Sequence, residues 1–199
     1  HDLMKQFKGQ KDLEKDIELL NSQVERCNEI LKRLTLNPVE EDEFIDKDIN
    51  IRDYLHEIIS SFKEISKKEF VFNFDQDSNP KKISKSIEIV YGLRNFIGNA
   101  NKFAKNSIFI NLKSDSEFTE LTVEDDGNGY PRDIISKIGE PYLKSNYSKD
   151  KSKEGLGLGL FIGKTLLEKN FASVNCRNSK TRSGAEVIIR WKNKELFNI

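Results

Sequence analysis

Gly155-Leu156-Gly157-Leu158-Gly159-Leu160 alternates three glycines with three leucines and runs into a helical pattern at Phe161, Ile162, Leu166 and Leu167. Glycine lets a backbone approach an anion closely and adopt positive φ. A helix N-terminus behind it presents free N–H groups and a partial positive charge. The stretch reads as a phosphate cradle that opens a helix, although such a run also suits two tightly packed helices. Two polar clusters upstream, Asn95–Phe103 and Asp125–Gly129, strengthen the first reading.

Asn95, Asn99 and Lys102 recur at four and three along a predicted helix over 84–104, beside an apolar stripe of Ile87, Val90, Leu93, Ile97 and Ala100. Asn99 offers a neutral carbonyl oxygen, a ligand suited to Mg²⁺. Asn95 can hold a phosphate or the attacking group, Lys102 can neutralise phosphate oxygens, and Phe103 can pack on a base. A solvated helix face accounts for the same residues. A predicted strand runs directly into Asp125, which precedes Gly127 and Gly129. Its carboxylate can accept the exocyclic amine of adenine at an exposed site. An ordinary strand-ending turn has the same spelling.

The rest of the chain frames these clusters. Leu13, Ile17, Leu20, Val24, Cys27, Leu31 and Leu34 alternate four and three, an a/d seam that predicts a dimeric helical bundle. Asn37-Pro38 ends it. An acidic linker follows, with a short strand expected near Phe44-Ile45. Asn50 is placed to cap a helix with Ile51, Leu55, Ile58, Ile59 and Phe62 inside. Glu69–Phe74 reads as a strand and Asp75–Lys82 as a turn-rich loop. Ser107–Ser114 and Glu117–Glu124 read as a hairpin, and Pro131–Ile138 as a short helix. Lys144–Glu154 is lysine-rich and predicts a mobile loop. Ala172–Arg177 and Ala185–Trp191 predict closing strands. This mixed order without regular βαβ alternation implies an α+β layer, one sheet with helices on one face.

The chain has 199 residues, 33% charged and 36% hydrophobic, with a formal net charge of +0. That balance gives no sign of bulk binding to nucleic acid or to an anionic membrane. No apolar stretch reaches the length of a membrane span. Cys27 and Cys176 make no disulfide framework, so a reducing compartment is expected. The helical start at His1 suggests a fragment of a longer protein.

Taken in order, the clusters resemble the ATPase domain of sensor histidine kinases, of the GHKL type. Asn95-Phe96-Ile97-Gly98-Asn99-Ala100-Asn101-Lys102-Phe103 resembles its N box and Asp125-Asp126-Gly127-Asn128-Gly129 its G1 box. Gly139-Glu140-Pro141-Tyr142 sits where the F box belongs, with tyrosine for the usual phenylalanine. Gly155–Leu160 resembles G2, and Ser183-Gly184-Ala185 stands at the last glycine box, without the threonine many members carry. Glu140-Pro141-Tyr142, Phe161–Glu168 and Glu25–Leu31, which contains Cys27, are similar to the redox-responsive RegB/PrrB type of sensor kinase.

The resemblance implies a Bergerat-type two-layer α/β sandwich over residues 39–199, preceded by a partial dimerisation hairpin over 1–38. It implies ATP and Mg²⁺ as cofactors, with Mg²⁺ on Asn99. Asn95, Asn99, Lys102, Phe103, Asp125, Gly127, Gly129, Tyr142, Gly155, Leu156, Gly157, Leu158 and Gly159 are the implied nucleotide contacts. It further implies a homodimer, a response regulator as partner, and a cytoplasmic domain of an inner-membrane-anchored bacterial sensor, tethered only through segments outside this chain. Phosphoryl transfer would run to a histidine and then to an aspartate of the regulator. His1-Asp2 is the candidate acceptor motif, though no Thr-Pro follows; a remnant or a chance terminus explains it equally. Cys27 is the candidate redox residue. The rival readings are a non-catalytic ATP-binding or dimerisation module and another GHKL-type ATPase.

Overall fold

A computed structural model describes residues 49–75, 82–83, 86–141 and 158–196. The chain divides after Phe44, and every described residue belongs to the second unit, Ile45–Ile199. The predicted bundle, the strand near Phe44-Ile45 and the loop Lys144–Glu154 lie outside the described residues.

The elements run β1 (Ile49–Asn50), α1 (Ile51–Lys63), β2 (Glu69–Phe74), β3 (Lys82–Ile83), α2 (Ile87–Phe103), β4 (Ser107–Ser114) and β5 (Phe118–Asp125). They continue with α3 (Arg132–Ile135), α4 (Gly159–Lys169), β6 (Ser173–Asn178), β7 (Ala185–Lys192) and α5 (Asn193–Leu196). Asn50 caps α1 as expected: its side chain accepts the Arg52 N–H at 2.9 Å. Ile51, Tyr54, Leu55, Ile58 and Ile59 are the buried stripe. The predicted helix over Pro131–Ile138 is shorter, because only Arg132–Ile135 closes a turn, and it buries no residue.

Five strands form one mixed sheet in the order β2-β4-β5-β7-β6; β1 and β3 pair separately. β2 runs parallel to β4, with α2 as part of the connection between them, and every other pair in the sheet is antiparallel. Register places Phe70, Ile108 and Asp125 in one row, and Phe72, Ile110, Val123 and Val187 in the next. A third row holds Phe74, Leu112, Leu121 and Ile189. This face is covered by α1, α2 and α4. Leu93, Ile97, Ile108, Ile110, Leu121, Ile189 and Trp191 are all 0% exposed. Each such side chain contributes about 1.5–3 kcal/mol relative to exposure.

The opposite face carries Glu120, Thr122 and Glu124 beside Glu186, Ile188 and Arg190. Ion pairs cross it, Arg177 with Glu186 and Arg190 with Glu120. Helices thus lie on one face only among the described residues, the two-layer α/β sandwich of the Bergerat type. No helix of the described residues is long and apolar enough to cross a membrane.

Helices α2 and α4 touch through glycines. A Cβ on Gly92 would lie 2.6 Å from Leu167 Cγ, and one on Gly163 3.1 Å from Asn95 Cβ. This close contact brings the start of α4 against the asparagine stripe of α2.

Candidate nucleotide site

Two groupings of polar residues stand on this frame. The first lies where α4 begins. Asn95, half-buried on α2, donates from Nδ2 to the Tyr91 carbonyl at 2.8 Å. Its Oδ1 faces the opening of α4, since a Cβ on Gly159 would lie 3.4 Å from it. Leu158 occupies the N-cap position of α4 and supplies no side-chain cap. The N–H groups of the first turn therefore keep their polarity for an anion. Asn99 and Lys102 follow on α2, both half-buried. Lys102 Nζ lies 5.4 Å from the centroid of Phe103, which is 44% exposed.

Asn99 presents the neutral oxygen that Mg²⁺ accepts. Among the described residues no group of three or more His, Cys, Asp or Glu side chains gathers to hold a metal ion. Tyr142, Gly155, Leu156, Gly157, His1, Asp2 and Cys27 lie outside the described residues.

The second grouping surrounds Asp125. The sequence reading expects this carboxylate at an exposed site; the structure buries it to 3% exposure. It is the last residue of β5 and lies on the helix-covered face, two residues beyond Val123. Its Oδ1 accepts the N–H of Gly127 at 2.8 Å and of Ala185 at 3.3 Å. Burial raises the Asp125 carboxyl above its ordinary value, partly offset by those two N–H donors. The walls are backbone. A Cβ on Gly127 would lie 2.5 Å from the Phe103 carbonyl oxygen, and one on Gly184 1.8 Å from the Asp125 carbonyl oxygen. Gly129 adopts φ +73°, and Asn178 clasps the next residue, accepting from Tyr130 N at 2.6 Å and donating to its carbonyl at 3.0 Å.

Several residues of this neighbourhood escape the sequence reading. Asp126 accepts the N–H groups of Lys105 at 2.7 Å and Asn106 at 3.0 Å, tying the turn after α2 to the Asp125 strand end. Partial burial would raise its carboxyl, but N–H groups of Asn106, Ser107 and Lys105 outweigh it and hold the value below the ordinary one. Lys68 Nζ donates to the carbonyl of Asn101, placing a cation at the C-terminal end of α2. Glu124 and Asn178 hold the hairpin between β6 and β7. All these pairings join distant stretches, so no local spacing announces them. Cys176, on β6, is half-buried beside Tyr130, and burial pushes its thiol up to about 11.

Residues 84–195 match the family described as Histidine kinase-, DNA gyrase B-, and HSP90-like ATPase. The sensor histidine kinase RegB of Cereibacter sphaeroides is 30% identical over 186 residues, which is 89% of this chain and 40% of RegB. A putative sensor histidine kinase of the NtrY-like type from Rickettsia bellii is 30% identical over 106 residues, 51% of this chain and 16% of that protein. This chain therefore spans less than half the length of either relative. Among solved structures, the mycobacterial sensor histidine kinase MprB overlays with TM-score 0.60 at 18% identity, covering 73% of this chain and 95% of MprB. The catalytic domain of histidine kinase ThkA gives TM-score 0.60 at 20% identity, covering 73% and 96%. At such identities the structures speak for the fold alone. The matched segment contains both groupings of polar residues, and the chain belongs to the histidine kinase-, DNA gyrase B- and HSP90-like ATPases.

Proposed function

We propose that this chain is the ATP-binding core of a two-component sensor histidine kinase. The observation that carries the reading is Asp125: a buried carboxylate whose described hydrogen bonds both end on Oδ1, set among backbone walls that only glycine permits. Its Oδ2 accepts the exocyclic amine of adenine. Gly127 and Gly129 let the purine lie against backbone, Phe103 packs on the base, and Tyr142 is a further nucleotide contact in this reading. The phosphates extend toward Asn95 and the glycine run, where Gly155, Leu156, Gly157, Leu158 and Gly159 present N–H groups and Lys102 presents charge. Asn99 would hold Mg²⁺, whose charge neutralises phosphate oxygens when bound. Phosphoryl transfer is catalysed mainly by positioning and electrostatics, which this arrangement offers.

In this reading residues 1–38 are a dimerisation region and 39–199 the ATP-binding domain. The γ-phosphoryl passes to a histidine of the dimerisation helix, with His1 as the candidate and Asp2 orienting its ring, and then to an aspartate of a response regulator. The protein works as a homodimer on the cytoplasmic side of a bacterial inner membrane. The test is phosphotransfer from labelled ATP in the full-length protein. Acid-labile, base-stable label on a histidine, followed by its passage to a regulator, is the expected result. Nucleotide binding without any label would instead leave a binding module, and no binding would overturn the reading altogether.

The cysteines are expected to differ. Cys27 is the proposed redox residue, linking chains on oxidation and lowering kinase activity. Cys176 should stay inert, because a thiol at about 11 is almost wholly protonated at neutral pH. At pH near 8, iodoacetamide should label Cys176 about a hundredfold more slowly than an ordinary thiol, the ratio of their thiolate fractions. Mass mapping of the alkylated sites, with non-reducing gels of wild type and Cys27→Ser, checks both. Rapid labelling of Cys176, or a crosslink that persists in Cys27→Ser, contradicts the assignment.

A further inference from the structure

Glu124 precedes Asp125 in β5 and points to the open face of the sheet, where a solvated side chain is the ordinary outcome. It is 6% exposed. The cover is the β6–β7 loop, which folds over it and brings three donors. The Ser179 hydroxyl donates to Glu124 Oε1, and the Thr181 hydroxyl to the same oxygen at 3.1 Å. Arg182 Nε stands 3.3 Å from Oε2, while the guanidinium lies 3.5 Å over the Phe109 ring, on the neighbouring strand. The loop is tied internally as well. Ser179 N donates to the Gly184 carbonyl at 2.8 Å, and the Ser179 hydroxyl oxygen accepts from Thr181 N at 3.0 Å and Arg182 N at 2.9 Å. Ser183 takes φ +63°, an uncommon conformation for a non-glycine residue. A buried carboxylate with uncompensated charge is costly, so this side chain stays only because the loop answers it at every oxygen.

The loop ends at Gly184 and Ala185, the residues that touch Asp125. Gly184 lies so close that a Cβ would sit 1.8 Å from the Asp125 carbonyl oxygen. Ala185 N–H occupies Asp125 Oδ1 at 3.3 Å. The contacts therefore form a loop in space: Glu124 holds the hairpin, the hairpin holds Asp125 Oδ1, and none of the described hydrogen bonds uses Oδ2. We propose that Glu124 is a positioning residue for base recognition, aiming the Asp125 carboxylate through the Ser179–Gly184 hairpin, which it clasps from the opposite face of the sheet. This rests on the reading of Asp125 as the adenine acceptor.

The test compares ATP with inosine triphosphate, which carries a carbonyl where adenine carries the amine. Affinities are measured at a temperature where thermal melts show each variant fully folded. Wild type should prefer ATP by at least about tenfold, since a site built for an amine rejects the analogue lacking it. Glu124→Ala should narrow that preference to about threefold or less, while Glu124→Gln, which still accepts from both hydroxyls, keeps most of it. In the double variant with Asp125→Asn the two losses should fail to add, because both act on one contact. Should Glu124→Ala not fold, Thr181→Val removes one donor from the clasp and should narrow the preference in the same direction. A preserved ratio in folded Glu124→Ala with only a lower melting temperature, or additive losses in the double variant, would overturn the proposal and leave Glu124 a stabiliser of the hairpin. A wild-type protein that binds ATP and inosine triphosphate alike would overturn the adenine reading of Asp125 itself, and this inference with it.

Discussion

Gly184→Ala is expected to abolish nucleotide binding and to destabilise the domain together. The added methyl would stand 1.8 Å from the carbonyl oxygen of Asp125, 2.5 Å from its carbonyl carbon and 2.6 Å from Oδ1. The two nearest of these are backbone atoms of the strand end, so they cannot swing aside. The hairpin must lift from the strand end. Overpacking of this kind costs about 1–3 kcal/mol or more, and in a chain of this size each kcal/mol lowers the melting temperature by about 2–4 °C. Lifting the hairpin also withdraws the Ala185 N–H from Asp125 Oδ1 and frees the carboxylate to rotate away from the base. Affinity for ATP should fall by at least about a hundredfold, roughly 2.7 kcal/mol. Isothermal titration with a non-hydrolysable ATP analogue and a thermal melt of the same preparation measure both. Wild-type affinity and melting temperature in Gly184→Ala would mean that the hairpin does not seat against Asp125.

Much of this arrangement is legible in the sequence, and the missing part has a physical character. Ser107–Ser114 alternates buried and outward residues over its first six positions, Ile108, Ile110 and Leu112 inward, so period two identifies the strand at once. Asn50, at the head of an apolar 3.6-residue pattern, marks the start of α1 for the same local reason. The asparagine stripe of α2 and the glycines flanking Asp125 are equally local. Strand order is not, because the parallel pairing of β2 with β4 joins residues on either side of a whole helix.

The burial of Asp125 was available in principle. Leu121, Val123 and Asp125 share one spacing of two, and the antiparallel register sets Asp125 opposite Ile108 on the covered face. Turn residues after it suggest the surface, and the end of the predicted strand at Glu124 stops the alternation one residue short. Glu124 misleads in the opposite sense. Its alternation with Thr122 and Glu120 assigns it correctly to the open face, yet a loop more than fifty residues away covers it. Side-chain pairings of that reach leave no periodic trace, which is why the acceptors were readable and the residues that aim them were not.

Asp125→Asn should separate affinity from stability. Asparagine keeps an Oδ1 that can accept the Gly127 and Ala185 N–H groups, so the turn and the hairpin stay in place. Its Nδ2, however, meets the adenine amine as donor against donor. Affinity for ATP should drop at least tenfold, about 1.4 kcal/mol. Stability should move the other way. Burial raises the Asp125 carboxyl, against the two N–H groups, with Asp126 adding to the rise and Lys68 opposing it. The folded chain thus holds this proton more tightly than the unfolded chain. The stability this group contributes is fully present below the ordinary carboxylate value and is lost as pH rises through the raised folded value. At neutral pH the ionised, buried carboxylate is therefore a net burden, and neutral asparagine escapes it. Asp125→Asn without nucleotide should melt at or above the wild-type temperature at pH near 7, with the difference shrinking as pH falls through that acid range. Binding of ATP to wild type should weaken over the same fall, because the ionised form is the acceptor. Full affinity in the folded variant would remove Asp125 from base recognition, and a variant markedly less stable than wild type at neutral pH would show that the carboxylate is held for the fold.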